Sequence, residues 1–132
     1  MVMPGSGISV KARNLVSPED ALLFDDLIDK WQVRLNLSDW RIERGSKAAR
    51  NAMASVEFND GARLATYRLG DFGAEVITPA SLESTAIHEL LHVFLHDLLA
   101  IAAAKPDPEA LEAAEHRVVN VLESLLLECN HE

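Results

Sequence analysis

Several features that often reveal a function directly are scarce or missing in these 132 residues. There is one cysteine, so no disulfide can form within the chain. No glycine-rich phosphate loop and no serine or cysteine nucleophile motif is present. The longest uninterrupted apolar run, residues 98–104, is too short to span a bilayer. We therefore expect neither a disulfide scaffold nor a membrane partner.

Basic charge is also scarce, and it is unevenly distributed. The chain has 12 basic and 21 acidic residues, with a net charge of +1 over residues 1–50 and −10 over residues 51–132. Because lysine and arginine bind nucleic-acid phosphates, the acidic part argues against a nucleic-acid surface. The start, MVMPGSGISV, lacks the basic and apolar regions of a signal peptide. A cytoplasmic location without nucleic-acid partners is the expectation.

The spacing of apolar residues predicts a single α+β domain over residues 18–129, after a flexible N-terminus at residues 1–17. Ser17-Pro18 and Thr78-Pro79 each combine a capping side chain with a first-turn proline, so both predict helix starts. Alternation predicts a small sheet of three or four strands, with a turn at residues 59–61. The predicted order is a helix to about residue 35, four strands and two further helices. The strands are predicted at residues 38–44, 52–58, 62–69 and 74–78. The second helix is predicted from residue 79 to about 105, where Pro106 blocks continuation, and the third over residues 108–129.

The second predicted helix carries the sequence His88-Glu89-Leu90-Leu91-His92, an HExxH motif. Residues four apart lie on one face of a helix, so the two imidazoles can bind one ion. Zn²⁺ favours nitrogen ligands, and a catalytic zinc site uses three protein ligands and a water. Glu89 lies about 100° round the helix, where it can act as general base towards that water. The motif predicts one Zn²⁺ per chain.

His96 continues the four-residue spacing, but helix geometry argues against a ligand role. It lies eight residues after His88, about 12 Å further along the axis. Two nitrogens bound to one zinc at about 2.1 Å cannot be so far apart. We expect His96 to lie beside the metal ligands or at the mouth of the cleft.

The third ligand is therefore expected from the last helix. On a helical wheel Glu115 falls inside an apolar arc, where a carboxylate is costly unless it is paired or binds a metal. We therefore predict that this arc is the buried face of the helix and that Glu115 is the third ligand. Glu112, at the border of the arc, and His116, outside it, remain alternatives. The arc consists of Leu111, Ala114, Val118, Val119, Leu122, Leu125, Leu126 and Cys129.

The HExxH helix, followed 23 residues after His92 by EHRVVNVLESLL, resembles the minimal gluzincin metallopeptidases. Within that group the chain is most similar to ImmA/IrrE-like and SprT-like domains and to short zinc-peptidase-like proteins of phages and prophages. The resemblance implies a zincin-like fold and zinc-dependent hydrolysis of a protein or peptide in a bacterium or phage-infected cell. It matches His88, His92 and Glu115 to the zinc ligands and Glu89 to the base. No basic DNA-binding extension accompanies the motif.

Several further expectations follow. Tyr67 or His116 is a candidate for stabilising an oxyanion, and Tyr67 is predicted on an edge strand, 62–69, that could accept an extended peptide. Trp31 and Trp40 are predicted to pack between the first helix and the sheet. An alternative function is a zinc-stabilised binding or assembly protein without catalysis. Neither the substrate nor the oligomeric state follows from the sequence.

Overall fold

A computed structural model describes residues 13–104 and 107–130, of which residue 130 only in its backbone. The elements are α1 (Pro18–Arg34), β1 (Arg41–Arg44), β2 (Ala54–Asn59), a 3₁₀ turn (Asp60–Ala62), β3 (Leu64–Leu69), α2 (Pro79–Ala103) and α3 (Pro108–Asn130). The predicted α+β order of one helix, a small sheet and two helices is confirmed. The predicted stop at Pro106 and most of the predicted flexible terminus lie outside the described residues.

The sheet has three strands in the order β1-β3-β2. Strand β3 pairs with β1 in parallel and with β2 in antiparallel register, so β3 occupies the centre. The prediction that residues 62–69 form an edge strand is therefore wrong. The predicted strand at residues 74–78 is also wrong, since Ala74 and Glu75 lie in a turn and a bend and residues 76–78 have no regular secondary structure. There the Asn14 side-chain amide donates hydrogen bonds to the backbone carbonyl oxygens of Gly73 and Glu75, at 3.1 and 2.7 Å.

The helices α1 and α2, which flank the core, begin where the sequence predicts. The Ser17 hydroxyl accepts from the Asp20 amide at the start of α1. At α2, Thr78 and Ser81 form a reciprocal capping box, with distances of 3.0 and 2.9 Å. Each cap satisfies amides that have no partner within the helix. These caps fix the register of α2 and so the positions of its histidines.

The core lies between α1, α2 and one face of the sheet. Its largest fully buried side chains come from the two helices, and β3 contributes Ala65 and Tyr67. The Tyr67 hydroxyl donates to Asp25 of α1 at 2.7 Å, while Arg44 of β1 donates to the same carboxylate at 3.0 Å. This network joins α1 to two strands. The buried helix residues are Phe24, Ile28, Leu82, Leu90 and Val93.

The tryptophans lie in different layers. Trp40 is buried beside Phe58 of β2, with ring centroids 5.7 Å apart. Trp31 instead lies between α1 and α2, where its indole N–H donates to Glu83 at 2.8 Å. Trp31 packs against the buried core, and its expected position between the first helix and the sheet stays a prediction.

Candidate metal site

His88 and His92 lie on successive turns of α2, with ring centroids 5.0 Å apart and ring planes at 78°. Both residues are exposed, and no backbone irregularity interrupts the helix between them. Side chains four residues apart project from the same face of a helix. The capped helix thus presents two imidazoles side by side, as the HExxH spacing predicts.

Glu89 differs from its histidine neighbours in being buried, with 6% of the residue exposed. Its carboxylate approaches the His88 imidazole to 4.0 Å. Burial raises the pKa of Glu89, and the two adjacent imidazoles partly oppose this shift. A buried carboxylate with a raised pKa has the character of a general base.

The three motif side chains line one open pocket of about 400 Å³ between α2 and β2. Strand β2 supplies the opposite wall with Ala54, Ser55, Val56 and Phe58. Because β2 is an edge of the sheet, its outer backbone groups are not paired with β3. An extended chain lying in this pocket would run beside both the histidines and an edge of β2 that pairs with no other strand of the described residues.

His96 also lines this pocket, where two contacts that the sequence did not reveal hold its ring. Its ring stacks on Phe58 at 3.9 Å with an angle of 13° between planes, and its Nε2 lies 2.6 Å from Asp60. The side chain is only 21% exposed. The structure thus brings His96 to the pocket of the motif residues, as expected. Asp60 lies in a segment with only a turn signal, and Phe58 could have been found from the alternation of β2.

A charge network next to His96 ties three further segments together. Arg63 donates to Asp97 of α2 at 2.8 Å, also contacts Asp39, and lies over the Trp40 ring at 4.0 Å. Arg117 of α3 reaches Asp39 at 3.5 Å. The hydrogen bond with Asp97 is the main reason why the pKa of Arg63 is raised. This network was missed because its members are far apart in sequence.

Glu115 is exposed, whereas the helical wheel predicts that it is buried. The inner face of α3 consists of Ala114, Val118, Val121 and Leu125, and Glu115 is exposed about a quarter-turn away. The prediction that Glu115 is buried is therefore wrong. The same holds for Cys129, which is exposed. Apolar residues occur on more than one side of α3, so the wheel could not identify which side meets the protein.

The other three predicted site residues, Glu112, His116 and Tyr67, also lie away from the histidine pocket. His116 and Glu112 are exposed on α3, and neither lines the histidine pocket. Tyr67 is buried in the centre of the sheet and its hydroxyl is bonded to Asp25. Within residues 13–104 and 107–130, no cluster of three or more His, Cys, Asp or Glu side chains could jointly hold a metal. A single chain thus brings together two of the predicted ligands, the base and His96.

Comparison of the chain with protein-family models, with curated proteins and with solved structures finds no match. Among the described residues, α2 alone is long and apolar enough to cross a membrane by length and composition. The core helix of a soluble protein meets the same criterion, and α2 contributes seven buried residues here.

Proposed function

We propose that the chain is a zinc-dependent peptide hydrolase in which His88 and His92 bind the ion and Glu89 is the general base. The observation that carries this proposal is the geometry of the motif. Two adjacent exposed imidazoles and one buried carboxylate line a pocket beside an edge strand. Imidazole pairs with this spacing suit Zn²⁺, so the residues fit two of the three expected protein ligands.

Each residue then has a distinct chemical task. Bound zinc would act as a Lewis acid that polarises the scissile carbonyl and acidifies the attacking water. Glu89 accepts a proton from that water and delivers it to the leaving amine, a role that its raised pKa favours. His96 stays fixed against Phe58 and Asp60, where it shapes the pocket next to His92.

The substrate class follows from the wall opposite the histidines. An extended peptide can add to the free edge of β2 through backbone hydrogen bonds, with side chains alternating into and out of the pocket. Residues 62–69, which the sequence predicts to accept the peptide, lie in the central strand and have no free edge. Strand β2 therefore takes over the proposed peptide-binding role.

Two measurements on the Glu89→Gln variant test the proposal together: its zinc content and its rate of peptide cleavage. Wild type should bind one zinc per chain, and Glu89→Gln should keep that zinc. Cleavage of a peptide library should fall about 10²–10⁴-fold, the usual contribution of a general base. Glu43→Gln, an exposed change on β1, is the matched control and should leave both unchanged.

The alternative, a zinc-stabilised binding or assembly protein, is favoured by one observation. Neither Tyr67 nor His116 reaches the pocket to stabilise an oxyanion. That function predicts zinc binding without cleavage in wild type and no effect of Glu89→Gln on partner capture. A wild-type chain that binds no zinc contradicts both functions.

A further inference from the structure

The loop that joins β1 to β2 carries basic side chains on the outer face of the sheet, away from α1 and α2. Lys47 and Arg50 of this loop line an open pocket of about 490 Å³ together with Arg68 of β3. Strand β2 supplies Ser55 and Glu57 to the same pocket. We name it the basic pocket, since its lining has three cationic side chains and one carboxylate.

Two of the three cations in the basic pocket have no acidic partner among the residues that the structure describes. Lys47 and Arg50 are exposed and form no ion pair there, whereas most other basic side chains do. Arg68 differs, since its Nε donates to Glu57 at 2.5 Å and its Nη1 donates to the Lys47 carbonyl oxygen at 3.4 Å. Three cations against one carboxylate leave an excess of positive charge here, in a chain whose net charge is −9.

The loop that carries these cations is held in place by backbone hydrogen bonds. The Gly45 amide donates to the Tyr67 carbonyl oxygen at 2.7 Å, and the Ala49 amide donates to the Leu69 carbonyl oxygen at 3.1 Å. Both bonds attach the loop to β3, the central strand. The positive charges are therefore preorganised, so binding an anion does not require the loop to become ordered.

Strand β2 separates the basic pocket from the histidine pocket. Ala54, Val56 and Phe58 line the histidine pocket, and Glu57 lines the basic pocket, while Ser55 lies at the rim and lines both. Successive side chains of a strand point to opposite faces, and a peptide that adds to the outer edge of β2 alternates in the same way. Its side chains would therefore enter the histidine pocket and the basic pocket in turn.

The position opposite Ser55 is the one from which a peptide side chain reaches the cations. Ser55 is small, and on its other side it pairs with Arg68 of β3. A peptide residue opposite Ser55 thus lies two strand spacings, about 10 Å, from the backbone of Arg68. A glutamate and an arginine side chain directed towards each other span this gap. The carboxylate of such a glutamate would lie in the excess positive charge of the basic pocket.

The other outward position of the peptide, two residues away, has the opposite preference. There the peptide side chain lies opposite Glu57, whose own side chain is 63% exposed. Like charges directly opposite each other on neighbouring strands are destabilising. Strand β2 thus distinguishes a peptide with an acid at one outward position from a peptide with acids at both.

We propose that the hydrolase selects extended peptides that carry Asp or Glu opposite Ser55 and a neutral or basic residue opposite Glu57. This inference rests on the proposed function, because it requires that the peptide adds to β2. Lys47, Arg50 and Arg68 bind the acidic side chain on the outer face, while the residue between the two outward positions enters the histidine pocket. Elsewhere the net negative charge of the chain disfavours an acidic peptide, so the preference is local.

Peptide binding to the zinc-loaded Glu89→Gln variant measures this preference without cleavage. Peptides long enough to pair with the six residues of β2 should be varied one position at a time among Glu, Gln and Lys. At one position Glu should bind about fivefold more tightly than Gln, as two or three exposed ion pairs allow, and Lys more weakly. Two residues away the order should be reversed. Both preferences should shrink in about 1 M salt, where the screening length is about 3 Å.

Charge reversal in the loop provides the matched variants. Arg50→Glu, added to Glu89→Gln, should reduce the preference for Glu over Gln to below about twofold, and Lys47→Glu in addition should reverse it. Zinc content should stay unchanged, since both loop residues are exposed and neither lines the histidine pocket. Arg41→Glu is the control, with the same change of charge on β1, the other edge strand, and should keep the full preference; its side chain is 66% exposed.

Glu57→Gln tests the register of the peptide. The substitution removes the repulsion at the second outward position and frees Arg68 from its ion pair. Peptides with acids at both outward positions should therefore bind about threefold more tightly than before. An unchanged affinity would show that the peptide does not lie beside Glu57 and would overturn the inference.

The contradicting outcomes separate this inference from the proposed function. Peptides that bind without a preference for charge overturn the inference and leave the zinc hydrolase standing. The predicted preference without cleavage by wild type supports charge selection and overturns the hydrolase. No binding of any peptide overturns the inference, and a wild type that also lacks zinc overturns the hydrolase as well. Binding of a single-stranded oligonucleotide that Arg50→Glu abolishes, with no charge preference among peptides, would assign the basic pocket to nucleic-acid phosphates and overturn the inference.

Discussion

At the scale of single residues, neighbouring positions on α2 have different environments and so different chemistry. His88 is exposed, Glu89 is buried, and His96 is fixed by Phe58 and Asp60. All four motif and pocket residues come from one helix and face one strand. The three histidines therefore differ in exposure and in contacts, although they share a four-residue spacing.

His96→Ala tests whether His96 is a structural neighbour of the metal rather than a ligand. The variant loses the stack on Phe58 and the bond to Asp60, and should lose about 1–2 kcal/mol of unfolding free energy. Its zinc content should equal that of wild type. Urea unfolding and metal analysis measure the two effects, and exposed His116→Ala should change neither. Loss of zinc in His96→Ala would show that it is a ligand.

Tyr67 predicts a specific dependence of stability on alkaline pH. Burial, followed by the bond to Asp25, raises the pKa of Tyr67 well above its usual value. In the unfolded chain it ionises near pH 10, so its stabilising contribution is complete below that pH and is lost as pH rises further. At pH 7, Tyr67→Phe should be less stable by about 1.5–3 kcal/mol, the value of a hydrogen bond to a charged group.

The stability difference between wild type and Tyr67→Phe should shrink as the pH rises above about 10. The chain has one tyrosine, so the variant removes this linkage completely while other titrating groups remain. Urea unfolding at pH 7, 9, 10 and 11 follows the difference. A constant difference across this range would contradict the buried, protonated Tyr67.

At the scale of elements, local sequence signals predict where a helix or strand begins, and which of the two it is, better than they predict which other element it packs against. The caps at Ser17 and Thr78 and the alternation of β2 and β3 depend on nearby residues, and these predictions are confirmed. The strand order is determined by pairing over long distances, and so β3 was wrongly predicted at an edge. The α3 wheel failed for a related reason, since periodicity reveals an apolar side but not what covers it. Both His88 and His92 were predictable because one helix carries them.

Gly70 tests how tightly the end of β3 packs. A Cβ at this position would lie 2.2 Å from the Ala52 carbonyl oxygen, a clash with backbone that cannot move freely. Gly70→Ala should therefore cost about 1–3 kcal/mol of unfolding free energy, as overpacking does elsewhere. Gly61→Ala is the control, because its Cβ meets nothing closer than 3.7 Å. Equal stabilities of the two variants would contradict this packing.

At the scale of the whole molecule, the sheet and α1 form a compact support while the α2–α3 hairpin leaves apolar surface exposed. Of the large exposed apolar side chains among the described residues, eight lie on α2 or α3. Exposed apolar patches often mark interaction sites in soluble proteins. The proposed zinc site lies at the border of this apolar surface, so metal binding and stability should be linked.

Removing zinc should therefore lower the melting temperature. A ligand that binds the folded chain at 100 times its dissociation constant adds about 2.7 kcal/mol, which corresponds to roughly 5–15 °C for a domain of this size. Calorimetry with and without a chelator measures the shift. In His88→Ala the chelator should have no effect, and an equal shift in that variant would assign the zinc to another site.

Diffraction from crystals of the zinc-loaded protein, recorded at the zinc absorption edge, tests the central claim most directly. The account predicts one anomalous peak per chain, bonded at about 2.1 Å to nitrogens of both His88 and His92. The Glu89 carboxylate should lie beside the peak without binding it. A peak that contacts only one of these imidazoles, or a zinc bound elsewhere on the chain, would contradict the account.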